Sequence, residues 1–128
     1  MSQGTCHPKK EDWELVEDMT KDSVPVAQLQ LISFPERWEG VTLLGRVKNF
    51  AKKERAILGQ RQAECLLEHQ EEIPPEWRNY YLFFPGTIYR ESDHLLFLYL
   101  YWYGDKWHLD FDRFGLFLVP YVRVVGLK

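Results

Sequence analysis

Cysteine is scarce in this chain: Cys6 and Cys65 are the two in 128 residues. One lies in a polar N-terminal stretch and the other in a helix-like segment, so no disulfide framework is expected. Two scattered thiols fit a reducing compartment. Long apolar runs are lacking too. The longest, Leu95–Tyr103, falls well short of the about 20 residues that a membrane-spanning helix needs. The opening residues MSQGTCHPKKEDWE hold no apolar block of the kind a secretory leader carries. A cytoplasmic protein with no membrane association is therefore the expectation. An excess of positive charge is also missing: 16 Lys and Arg face 19 Asp and Glu, a net charge of −3. That balance speaks against a chain built chiefly to hold nucleic acid. The sequence contains no GxxxxGK[ST], GxGxxG or GxSxG motif, and Cys6 and His7 have no second ligand pair for zinc.

Aromatic residues are plentiful, at 16% of the chain. Each can bury on the order of 150–250 Å², so a sizeable core can form from few residues, with rings left over for the surface. Residues 1–10 read as a flexible polar tail and 11–128 as a single domain. Residues 11–19 read first as a short helix, with a strand close behind. In 24–34, Ala27, Leu29 and Leu31 alternate with Gln28 and Gln30, the period of a half-buried strand, and Pro25 points to a sheet edge. Residues 46–58 are helical by propensity. From Gln60 onward, Ala63, Leu66, Leu67 and Ile73 share one helix face, up to the stop at Pro74-Pro75. Beyond it the chain turns aromatic and β-branched. Pro85-Gly86 reads as a type II turn between two strands, Ser92 falls in a second turn, and 116–125 reads as a last strand. The expected fold class is α+β: a C-terminal antiparallel β-meander of about four strands packed against a central helical segment, 46–73, with the 24–34 strand adding to an edge.

Gly104-Asp105 is the sharpest local signal. Glycine in the first central position suits a two-residue type II′ hairpin, and this turn sets the pairing of its strands. Tyr103 then faces Lys106, Trp102 faces Trp107, Tyr101 faces His108, Leu100 faces Leu109, Tyr99 faces Asp110 and Leu98 faces Phe111. One surface carries Leu98, Leu100, Trp102, Trp107, Leu109 and Phe111, which is a core face. The other carries Tyr99, Tyr101, Tyr103, Lys106, His108, Asp110 and Asp112.

The second surface is the first candidate site. Tyrosine offers contact area at low entropic cost, so Tyr99, Tyr101, Tyr103, His108, Asp110 and Asp112 are read as partner-binding. Alternate residues of one strand stand about 7 Å apart, whereas a hard cation needs carboxylates that converge from several elements. No metal ligand, catalytic residue or cofactor is therefore assigned. The second candidate is basic: Arg46, Lys48, Lys52, Lys53, Arg55 and Arg61 are opposed by Glu54 alone. It reads either as a contact for phosphates or an acidic partner, or as a solvated helix face. Cys65 and His69 stand four apart on a helix but lack an orienting group and an oxyanion hole. The expected function is a small intracellular binding protein acting on another protein, of the inhibitor, immunity or adaptor type. Nucleic-acid binding through 46–61 is the alternative, and a metal-dependent hydrolase using His108, Asp110 and Asp112 is a second one. The lack of a catalytic constellation weighs against an enzyme. An exposed sheet edge would also suit a homodimer.

Overall fold

The computed structural model describes residues 13–18, 23–33, 50–53, 56–112 and 121–128. The tail 1–10 and Arg46, Lys48 and Arg55 lie outside the described residues, as does the first half, 116–120, of the strand expected at 116–125. The strands are β1 (Glu14–Asp18), β2 (Leu29–Ser33), β3 (Tyr81–Glu91), β4 (His94–Tyr103), β5 (Lys106–Asp112) and β6 (Val122–Leu127), with helix α1 (Gln60–Glu68) between β2 and β3. Short 3-10 turns occupy Val26–Gln28, Gln70–Glu72 and Pro75–Asn79, and residues 50–53 are helical. No helix of the described residues is long and apolar enough to cross a membrane.

The fold is α+β, built on one mostly antiparallel six-stranded sheet in the order β2-β6-β3-β4-β5, with β1 paired to β3. β3 to β6 lie in the C-terminal half, β2 lies at an edge and β1 is the further strand. The expected meander ends early, because β6 does not continue it beyond β5. It crosses to the far side of β3 and pairs with it in parallel, Tyr81–Phe83 against Val122–Val124. The reason lies in its side chains. Val122, Val124 and Val125 are all buried, and a strand apolar on both sides belongs in the middle of a covered sheet.

The β4–β5 hairpin has the register that Gly104-Asp105 dictates: Tyr103 opposite Lys106, Trp102 opposite Trp107, Tyr101 opposite His108 and Tyr99 opposite Asp110. Gly104 supplies the positive φ the turn needs, at +74°. The β3–β4 turn reaches a similar conformation without glycine, at Ser92 with φ 55°. A side chain in this left-handed region costs about 1–2 kcal/mol. Ser92→Gly is accordingly expected to raise stability by about 0.5–1 kcal/mol, read as a higher urea midpoint at unchanged slope. An unchanged or lower midpoint would count against this turn.

Pro85-Gly86 does not end a strand, contrary to the turn reading. It lies within β3, whose register on β4 jumps from Phe83 opposite Tyr99 to Ile88 opposite Phe97, so Phe84–Thr87 bulge out against Leu98 alone. Proline is tolerated where the ladder is interrupted in this way. On the other side of β3, β6 takes Tyr81–Phe83 and β1 takes Thr87–Arg90. The gap between them is filled by residues 56–59, and Gly86 N–H donates to the Leu58 carbonyl at 2.8 Å.

Those residues carry the chain through the sheet. Ala56 packs with Phe83, Ile88, Phe97, Val122 and Val124, whereas Leu58 packs with Leu82, Phe84, Leu98, Leu100 and Val125. Alternate strand residues point to opposite faces, so the chain leaves one face at Ala56 and reaches the other by Leu58. The expectation of one helical segment, 46–73, over one apolar face is corrected here. Phe50 and Ala56 lie against one face, while Ala63, Leu66, Ile73 and Trp77 cover the other. Residues 56–59 are not helical, because the sheet takes up the Leu58 carbonyl and the Ala56 and Leu58 side chains.

Two glutamines bind α1 and its following turn to the strands and loops around them. Gln62, fully buried, accepts from Val24 N–H at 2.8 Å and donates to the Val24 carbonyl at 3.1 Å. Gln70 grips Trp107 in the same manner, accepting from its N–H at 2.8 Å and donating to its carbonyl at 3.5 Å. Thr87 Oγ1, at the end of the bulge, accepts from Gln60 N–H at 2.8 Å. It thereby satisfies one of the donors that a helix N-terminus leaves without a partner.

Candidate functional site: a tyrosine-lined sheet face

Along β4, the residues of one face run Phe97, Tyr99, Tyr101, Tyr103. Their exposure rises in that order at its ends, from 1% at Phe97 to 72% at Tyr103, with Tyr99 and Tyr101 half-buried. The face therefore changes from core to surface along one strand, and the side chains change from phenylalanine to tyrosine with it. Opposite them, β5 presents His108, Asp110 and Asp112, all half-buried, and the exposed Lys106. The structure thus brings Tyr99, Tyr101, Tyr103, His108, Asp110 and Asp112 onto one surface.

Neighbouring elements extend this surface. Tyr81 of β3 lies 5.4 Å from Tyr99 and 6.4 Å from Tyr101 between ring centroids. Tyr121, just before β6, lies 5.4 Å from Tyr81 and is 44% exposed. Tyr101 stacks on His108 at 5.2 Å with an interplanar angle of 22°, and Tyr103 approaches the same imidazole at 6.2 Å. His108 Nε2 is 3.2 Å from the Tyr103 carbonyl oxygen. Asp110 is held by the Phe111 N–H, which donates to its Oδ1 at 2.8 Å. Tyr81 and Tyr121 escape sequence reasoning because they reach this face only through the β3–β4 and β3–β6 pairings. Their ring type was the one signal.

Burial, and then the charges of Asp110 and Asp112, push the Tyr99 phenol well above the usual tyrosine range; Tyr101 and Tyr81 add to this. Tyr101 is raised by burial and then by Asp110. The unfolded chain releases these protons near pH 10, while the fold retains them to higher pH. Their contribution to stability is therefore complete below about pH 10 and is lost as pH rises above it. An ultraviolet phenolate titration is expected to show a late-titrating fraction that Tyr99→Phe removes. Loss of the early-titrating fraction instead would contradict the placement of Tyr99.

His108, Asp110 and Asp112 do not bring three donor atoms within 4.8 Å of one another. Among the described residues, His69, Glu71 and Glu72 do so, but all three are exposed on one turn, where water competes for every donor. Lys52, Lys53 and Arg61 are exposed. The first two adjoin Phe50 and Ala56 on one side of the sheet, and Arg61 belongs to α1 on the other, so the chain crossing separates them. Cys65 is a half-buried free thiol. His94 is the exposed first residue of β4. A groove of about 600 Å³ opens between β2 and the 75–79 turn, lined by residues including Leu29, Trp77, Tyr80, Arg123 and Lys128. The Arg123 guanidinium lies 4.5 Å above the Tyr80 ring there.

Neither family models, curated proteins nor solved structures provide a match to this chain.

Proposed function

We propose that this is a small intracellular binding protein that engages another protein through the Tyr99–Tyr101–Tyr103 face. The carrying observation is the graded exposure of that face, from buried Phe97 to the open ring of Tyr103. Rings that are part-buried and braced by their neighbours lose little entropy when a partner covers them, while their outer edges still offer apolar area and a hydroxyl. An inhibitor, immunity or adaptor role needs no more than such a binding face.

The test is site-specific photo-crosslinking in the native host. A photoreactive residue in place of Tyr103 is expected to capture a defined protein, and one in place of the exposed Ser92, at the opposite end of β4, is not. Equal labelling from both positions, or none from Tyr103, would refute the proposal. Substituting Tyr101 by Ala is expected to weaken capture from position 103 by about tenfold or more, since large aromatic anchors dominate interfaces.

A further inference from the structure

Building on that binding-face reading, we infer that the partner presents a cationic segment, with an arginine guanidinium set at the outer rim of the Tyr101–His108 stack and countered by the Asp110 carboxylate. Aromatic ring faces are electron-rich and attract cations within about 6 Å. The fold already uses this chemistry internally, with Arg78 3.8 Å over the Trp102 ring and Arg123 4.5 Å over Tyr80. No described cation lies over Tyr99, Tyr101 or Tyr103; His108 stacks on one face of Tyr101, so a guanidinium meets that ring at its rim, where the hydroxyl oxygen accepts a hydrogen bond.

The counter-charge is in place. Asp110 stands opposite Tyr99, diagonal to Tyr101, and its Oδ1 is engaged by the Phe111 N–H. Its other oxygen has no partner among the described residues. Its charge reaches Tyr101, whose phenol it helps to raise. The spacing of alternate strand residues, about 7 Å, matches that of alternate side chains in an extended partner segment. Guanidinium suits the place better than ammonium, because it is planar, stacks on rings and bonds carboxylates through two donors. Lys106, at the turn end, sets the polarity by repelling a cation there and favouring the Asp110 end.

The experiment measures fluorescence anisotropy of labelled hexa-arginine, hexa-lysine and hexa-glutamate peptides with the full chain at about 0.15 M salt. Hexa-arginine is expected to bind, hexa-lysine to bind several-fold more weakly, and hexa-glutamate not to bind. Asp110→Asn, which keeps the shape and the Phe111 contact, and Tyr101→Leu should each weaken hexa-arginine by about tenfold. The double variant Glu71→Gln/Glu72→Gln, which removes two charges elsewhere, should change it by less than about twofold. Equal losses in Asp110→Asn and in that double variant would show attraction by bulk negative charge and overturn the inference, as would no binding by hexa-arginine. Circular dichroism of each variant verifies the fold. Capture from position 103 with failed peptide binding would overturn the cationic partner alone, whereas absent capture strikes the binding face itself.

Discussion

Gly86→Ala is expected to cost about 3 kcal/mol or more of stability, the upper range for overpacking a closed site. A methyl group there would lie 2.5 Å from the Ile57 carbonyl oxygen and 2.6 Å from the Leu58 carbonyl carbon. Both are backbone atoms, so no side-chain rotation relieves the clash. The crossing segment cannot back away either, since Ala56 and Leu58 are buried in separate clusters. Moving it would stretch the Gly86–Leu58 hydrogen bond and open both faces together. Chemical denaturation gives the answer. A loss under about 0.5 kcal/mol, the size of an ordinary surface change, would mean that the chain does not cross beside Gly86. Gly59 faces the same bulge from the other side, where an added methyl would meet Thr87 Oγ1.

Gln62→Leu is expected to cost about 2–4 kcal/mol despite nearly conserving volume. The side chain is wholly buried and serves both the N–H and the carbonyl of Val24. Leucine leaves both peptide groups unpaired, and each buried unsatisfied group costs about 1–3 kcal/mol. The local readout is hydrogen exchange. The Val24 amide should lose its protection in Gln62→Leu, well before the β4–β5 amides do. Protection of Val24 equal to wild type would show that the amide finds another acceptor. Hydrophobic burial alone would have made this substitution neutral or favourable, so its sign separates the two accounts.

Features settled by neighbours in sequence were legible before the structure. The Gly104-Asp105 turn, read with the period of two in its flanking strands, yields the whole β4–β5 register and hence the six-residue face. The stripe of Ala63, Leu66 and Leu67 locates α1. Features settled by distant partners were not. Pro85-Gly86 has the local chemistry of a turn, and only Leu58, far off in sequence, makes it a bulge within a strand. Glu14–Asp18 suits helix and strand nearly equally until β3 offers it an edge. The 46–58 run has strong helix propensity, yet a sheet gap takes its last residues and overrides it. The same crossing puts the segment of Lys52 and Lys53 on one side of it and that of Arg61 on the other. Tyr81 and Tyr121 join the candidate site through pairings that nothing in their own segments announces.

The grip of Gln70 on Trp107 has a consequence for how the molecule meets copies of itself. In a two-residue hairpin closed at Tyr103 and Lys106, the peptide groups of Trp107, Leu109 and Phe111 turn outward, away from β4. This is the side on which a foreign strand would add. Gln70 already occupies both hydrogen-bonding groups of Trp107, and the Asp110 carboxylate occupies the N–H of Phe111. A strand arriving at β5 must displace side chains that satisfy these groups at no loss of translational freedom. β5, one of the two end strands of the sheet order, is thereby guarded at Trp107 and Phe111 against runaway edge-to-edge stacking, while Tyr103 on the neighbouring strand stays exposed.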